Sequence, residues 1–176
     1  NLQPLLNANR LKLQSLKHQQ LPLKLHARYA REQIIAAFGA TTFEKQAVSR
    51  EGVFVVKDRN IELLFVTLNK NPKVFSPNTM YHDYAINEWR FHWQSQNSAR
   101  PERGRGLEYI QHKTMGKRLF LFVREQSDDE YGRTMGFVNF GELDYISHTG
   151  SQPMNIIWQL HQAMPDFMWH DAAKLS

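Results

Sequence analysis

The sequence predicts an α+β fold: a mostly antiparallel sheet, curved or closed into a barrel, with short helices at its flanks. Three observations carry this expectation. Six segments of 53–56, 61–68, 90–96, 119–123, 135–140 and 143–148 are short and rich in β-branched and aromatic residues. The breaks between most of them are turn formers, such as Asp58-Arg59-Asn60, Ser127 to Asp129 and Gly141, so neighbouring strands return antiparallel without a crossover helix. Apolar residues make up 41% and charged residues 22% of the 176, a composition that folds around one core.

Taken in order, residues 1–22 space Leu2, Leu5, Leu6, Leu11, Leu13, Leu16 and Leu21 between Pro4 and Pro22, with neither a helical nor a strand period. This stretch reads as a partly helical linker or extension to a parent protein, and 23–176 as one β-rich domain. A first helix runs from Ala30 to Phe38, with Ile34, Ile35 and Phe38 on one face and Gly39 as its left-handed stop. The strands follow from Val53. Met154–Leu160 satisfies both periods; Pro153 before it and Pro165 after it favour a strand. Pro165 then starts a C-terminal helix over Asp166–Lys174.

The absence of cysteine excludes disulfides, thiolate nucleophiles and cysteine-rich zinc sites, and no run of about 18 apolar residues marks a membrane span. The opening Asn1-Leu2-Gln3-Pro4 has neither an initiator methionine nor a signal-peptide core, as expected of a piece of a longer cytoplasmic protein. Net charge is +5, unevenly spread. Arg10, Lys12, Lys17, Lys24, Arg28 and Arg31 precede the first acidic residue, Glu32, and a second basic cluster runs from Arg100 to Arg118. Glu125, Asp128, Asp129 and Glu130 form an acidic knot. Segregated charge of this kind suits a chain that meets DNA or RNA on one side. The eight histidines fall in no catalytic frame, and phosphate-cradling, Rossmann and nucleophile-elbow patterns are missing, so neither a cofactor nor a metal is expected.

The densest chemistry lies between Phe75 and Gln96, where an aromatic and amide-rich loop runs into a strand. Along that strand Phe91, Trp93 and Ser95 share one face, and His92, Gln94 and Gln96 the other. Flat rings beside a carboxylate and amides are what an extruded base needs, stacking on its faces and hydrogen bonding to its edge. Tyr81, Asp83, Tyr84, Trp93, Gln94 and Ser95 form the expected base pocket, in which Asp83 accepts from a cytosine amine. Arg28, Lys70, Lys73, Arg100, Arg103 and Arg105 are the expected contacts to backbone phosphates, with Gly104-Arg105-Gly106 as a mobile basic hairpin tip. The plainer alternative places Phe91 and Trp93 in the core.

Leu23 to Tyr29, Leu64 to Lys70, Phe75-Ser76-Pro77, Tyr81 to Ile86, Phe91 to Gln96, Leu121 to Glu125 and Gly150 to Met154 together resemble a C-terminal domain of unknown function attached to superfamily 2 helicases, many of which also bear a phospholipase-D-type nuclease module. Parents of that kind include type IV restriction enzymes that cut DNA carrying modified cytosine. The resemblance implies a PUA- or SRA-like barrel, a non-catalytic reader that flips 5-methyl- or 5-hydroxymethylcytosine out of double-stranded DNA for a larger helicase–nuclease. Two rivals stand beside it. One is an interaction domain whose rings dock the helicase or another subunit. The other is a small nuclease using His82, His92 and Asp83 with a metal.

Overall fold

A computed structural model describes residues 3–4, 23–40, 52–68 and 82–173. Eight strands form one sheet: β1 (Arg28–Tyr29), β2 (Val53–Val56), β3 (Ile61–Thr67), β4 (Tyr84–Asn87), β5 (Arg90–Gln94), β6 (Arg118–Arg124), β7 (Phe137–Thr149) and β8 (Asn155–Leu160). Their order is β2-β3-β6-β7-β8-β5-β4, with β1 added alongside β7. Short helices accompany them, among the described residues α1 (Arg31–Ala37), α2 (Gly104–Ile110) and α3 (Trp169–Ala172). The fold is thus mixed α+β and mostly sheet. Among the described residues the sheet is curved but open, its end strands β2 and β4 not pairing with each other. Both ends nonetheless reach one core, to which Val53 of β2 and Ala85 of β4 contribute.

β3 and β6 pair in parallel, from Ile61 opposite Arg118 to Thr67 opposite Arg124, whereas every other strand pairing is antiparallel. These two strands are buried on both faces and read as nearly unbroken apolar runs, as strands inside a layered structure do. Alternation sends Ile61, Leu63, Phe65, Phe120 and Phe122 to one face, where Ile34 and Ile35 of α1 and Phe38 just after it cover them. Leu64, Val66, Leu119, Leu121 and Val123 go to the other face, which the curl of the sheet encloses with Phe91, Trp93, Ile156 and Trp158. α1 has no side-chain N-cap, since Ala30 offers none, but the Gln33 side chain accepts the Ala30 N–H at 2.8 Å and ties the first turn.

Three expectations change. The segments predicted as separate strands on either side of Gly141 are one long strand, β7, whose register shifts at two places; Gly141 adopts φ +86 and bends the strand without ending it. One strand thereby pairs with β6 along its first half and β8 along its second. The Gly104-Arg105-Gly106 segment opens α2 and is no hairpin tip. A Cβ on Gly106 would collide with the Arg100 carbonyl oxygen and lie 2.6 Å from Met154 Sδ, so glycine is what lets α2 pack against the Arg100 backbone. At the C-terminus a 3₁₀ turn, Asp166–Met168, precedes α3, and Ala173 forms a bridge to Ala85 on the edge strand β4. Among the described residues no helix is long and apolar enough to cross a membrane.

Candidate nucleic-acid interface

The residues expected to form a base pocket divide between the two faces of β5. Trp93 points into the core, 2% exposed, with its ring 5.4 Å from Tyr109 and 6.2 Å from Trp158. Ser95 is also buried; its hydroxyl donates to the Gln96 carbonyl at 3.0 Å and accepts the Met154 N–H at 2.9 Å. Neither offers a surface to a base, so the alternation visible in the sequence overrides their expected role. Phe91 is core as well.

Tyr84, His92 and Gln94 stay together on the opposite face. The Tyr84 ring stacks on His92 with centroids 4.6 Å apart and planes 11° from parallel. His92 Nδ1 donates to the His82 carbonyl at 2.8 Å, and Gln94 Nε2 donates to Asn155 Oδ1 at 3.3 Å. Asp83 Oδ1 accepts the Gln94 N–H at 2.9 Å, standing in for a backbone carbonyl just before β4 begins. The carboxylate is enclosed although the residue as a whole is only partly buried, and this desolvation pushes its pKa up to about 6 against the opposing pull of the Gln94 N–H and His82. Tyr81, Lys70 and Lys73 lie outside the described residues.

The arginines expected to hold phosphate separate just as clearly. Arg28 is committed: its guanidinium donates to both carboxylate oxygens of Glu125, at 2.9 and 2.7 Å, and to the Gly136 carbonyl at 2.8 Å. Arg100, Arg103 and Arg105 instead surround a cavity of about 360 Å³ between the β5–α2 connection and the β7–β8 turn. Gln96, Ser98 and Gln152 complete its lining. Arg100 donates from Nε and Nη2 to the Gln152 side-chain oxygen, each at 3.0 Å. Deeper in, the Gln96 amide and Tyr109 hydroxyl bond each other at 2.9 and 3.1 Å, and Arg105 reaches the same hydroxyl. Burial raises the Tyr109 pKa, which keeps the phenol protonated as a donor.

Among the described residues none of these three arginines has a carboxylate within ion-pair distance. Several other basic groups are matched: Lys117 with Glu62 and Glu108, Lys113 with Asp144, Arg118 with Glu142, and Arg133 with Asp129. A second cavity, of about 230 Å³, illustrates the difference. Lys113 and Arg118 line it, but Glu142 and Asp144 line it too, with His161 between those two carboxylates at 3.3 and 3.0 Å. Its charges are internally satisfied, whereas the arginine cavity presents donors with no counter-charge.

His82, Asp83 and His92 lie close together, with His92 Nδ1 on the His82 carbonyl and Asp83 Oδ1 on the Gln94 N–H. No group of three His, Asp or Glu is placed to bind a metal among the described residues. His112 is likewise fixed, with Nδ1 donating to the Lys117 carbonyl at 3.0 Å and Nε2 accepting the Tyr145 N–H at 3.0 Å. Gln96, expected beside His92 and Gln94, is instead buried against Tyr109 because β5 ends at Gln94 and the alternation stops there; sequence reasoning missed Gln152 and the reason for Gly106. Only the paired glycines flanking Arg105 signalled a close backbone approach.

Comparison with known proteins gives one family match, a domain of unknown function, DUF3427, over residues 23–172. No curated protein matches.

Proposed function

The chain belongs to the DUF3427 family, whose name assigns no activity, and from the site itself we propose that it is a non-catalytic DNA-binding module. The observation that carries this reading is the convergence of Arg100, Arg103 and Arg105, without carboxylate partners, on one cavity. Guanidinium donors left uncompensated beside buried amides suit an acceptor-rich ligand, and a phosphodiester is the simplest one. Phosphates held there position a duplex without reading its sequence.

The finer reading is that the duplex carries modified cytosine, 5-methyl or 5-hydroxymethyl, and that the domain serves a larger helicase–nuclease. It is supported by the sequence resemblance and by the polar cluster of Asp83, Tyr84 and Gln94 on the outer face of β5. For an extruded base to use that cluster, the Asp83 carboxylate and the Tyr84 ring would have to open from the Gln94 N–H and His92 that now hold them. A single methyl contributes about 1 kcal/mol, which is roughly fivefold in affinity, so discrimination beyond that requires the unmodified base to be held less well.

The test is fluorescence anisotropy of the full chain with otherwise identical duplexes containing cytosine, 5-methylcytosine or 5-hydroxymethylcytosine. Preference for a modified duplex supports the reader. Equal binding to all three leaves a sequence-blind DNA module, and no binding at low salt refutes the reading. One observation favours a second reading, an interaction surface: Ile86, Trp89, Phe167 and Trp169 are exposed around the β4 edge and the C-terminal turn that Ala173 ties to it. Partner binding through that surface would persist at high salt.

A further inference from the structure

A second cluster of basic side chains lies away from the arginine cavity, where the parallel strands β3 and β6 end. Thr67 and Arg124 are the last residues of those strands and are directly paired in register. Arg31, the first residue of α1, lies over the same face, its guanidinium carbon 5.3 Å from the Phe65 ring centroid. Arg124 sits 4.5 Å over the Phe137 ring, and the two rings pack edge to face at 5.1 Å. The two cations are therefore supported from below by adjoining aromatic rings.

What they lack is an anion in contact, since Glu32 acts on Arg31 and Asp128 on Arg124 only from beyond ion-pair distance. Among the described residues neither Arg31 nor Arg124 has a carboxylate within ion-pair distance, and Glu125, next to Arg124, is taken by Arg28. Arg31 Nε is buried and has no hydrogen-bond partner. Burial and the neighbouring Arg124 charge press the Arg31 pKa below its ordinary value against the opposing pull of Glu32, so the cation is held against desolvation and like-charge repulsion. Arg124 spends Nε on Thr67 Oγ1 at 2.8 Å and Nη1 on the carbonyls of Met135 and Ser127, at 3.2 and 3.4 Å, which leaves Nη2. Since Thr67 Oγ1 accepts from Arg124, its own hydroxyl proton remains to donate. An unpaired buried N–H costs about 1–3 kcal/mol, so a site of this kind is stabilised by a ligand that accepts from it.

We propose that Arg31, Arg124 and the Thr67 hydroxyl form a second anion site, one that binds a phosphate group. Four donors (Arg31 Nε and a terminal nitrogen, Arg124 Nη2 and Thr67 Oγ1) match the tetrahedral oxygens better than the planar pair of a carboxylate. The phosphate comes either from a nucleic-acid backbone or from a small phosphorylated molecule.

The experiment is NMR of the arginine Nε–Hε resonances of the full chain during titration with inorganic phosphate, at constant ionic strength maintained with chloride. The Arg31 and Arg124 resonances are expected to shift saturably, and Arg31→Gln is expected to weaken binding about tenfold or more, the loss of one charge-assisted contact. Arg31→Lys retains the charge and recovers part of the affinity. The backbone amide spectrum reports whether each variant is folded; if Arg124→Gln is not, the Arg31 variants decide alone. A short duplex that reproduces the Arg31 shift assigns the site to backbone phosphate, and a shift with inorganic phosphate but not with duplex assigns it to a small phosphorylated ligand. Arg103→Gln with Arg105→Gln should leave the inorganic-phosphate titration unchanged, which separates this site from the cavity. No saturable shift, or an undiminished one in Arg31→Gln, overturns the proposal.

Discussion

Replacing Arg103 and Arg105 together by glutamine tests the arginine cavity quantitatively. The reasoning starts from charge compensation: Arg100, Arg103 and Arg105 line one cavity with no carboxylate beside them, so each contact to a backbone phosphate releases a condensed counterion. Three contacts give a slope of log K against log salt of about −2.7, and one remaining contact gives about −0.9. Between 50 and 200 mM salt, affinity should therefore fall about 40-fold for the natural chain and only about 3.5-fold for the double variant. The assay is anisotropy of a labelled duplex at four salt concentrations, with Lys113→Gln as a comparison, because Lys113 is already paired with Asp144 at 2.9 Å and should change the slope little. A double variant with an undiminished slope refutes the reasoning, since the phosphates would then be held elsewhere. A lowered slope in Lys113→Gln as large as that in the double variant refutes it too, because pairing would not have mattered.

Gly106→Ala forces a methyl group against the Arg100 carbonyl and Met154 Sδ and should destabilise the fold by about 1–3 kcal/mol, seen as a lower melting temperature with weaker duplex binding. Lys117→Met strands Glu62, which is 1% exposed, and should cost about 3–5 kcal/mol in chemical denaturation; adding Glu62→Leu should recover most of it. Asp83 carries a pKa raised to about 6 from its ordinary 3.8, so the folded state binds the proton more tightly than the unfolded chain does. Its contribution to stability is therefore full below about pH 4 and is lost as pH rises through about 6, a change of at most about 3 kcal/mol. Asp83→Asn should flatten that part of the stability profile, and unchanged profiles would show that the carboxylate is solvated.

Much of the architecture was legible because it rests on local pattern. The runs that became β2, β3, β5, β6 and β8 carry the β-branched and aromatic residues that a pleated, buried surface selects, and α1 ends at Gly39, φ +78, as its sequence required. Pairing was less legible. That β3 and β6 run parallel depends on what separates them, and nothing in either strand records its neighbour's direction. β1, of two residues, exists only because β7 offers it an edge. Gly141 looked like a terminator, yet a glycine at a bulge bends a strand as readily as it ends one. α2 was hidden because Gly104 and Gly106 have poor helix propensity; close packing on the Arg100 backbone overrides it.

The candidate site shows why charge in a sequence is an incomplete guide to binding. Arg28 and Arg105 both lie in basic clusters, and composition treats them alike. Arg28 is neutralised by Glu125, which is 97 residues away in the chain, and Lys117 by Glu62, which is 55 away. Those pairings are set by strand order, so they appear only once β1 lies against β7 and β3 against β6. The same rule applies to the pocket on β5. The period of two told that Trp93 and Gln94 face opposite ways, and a base pocket drawing on both would need the sheet to be transparent. What discriminates a binding cation from a structural one is the absence of a counter-charge after folding. By that criterion Arg100, Arg103 and Arg105 remain as one group and Arg31 with Arg124 as another, and in the acidic knot beyond β6 Asp128 acts on Arg124 from beyond ion-pair distance. Of its four carboxylates, Glu125 is spent on Arg28 and Asp129 on Arg133, each within 3.1 Å or less.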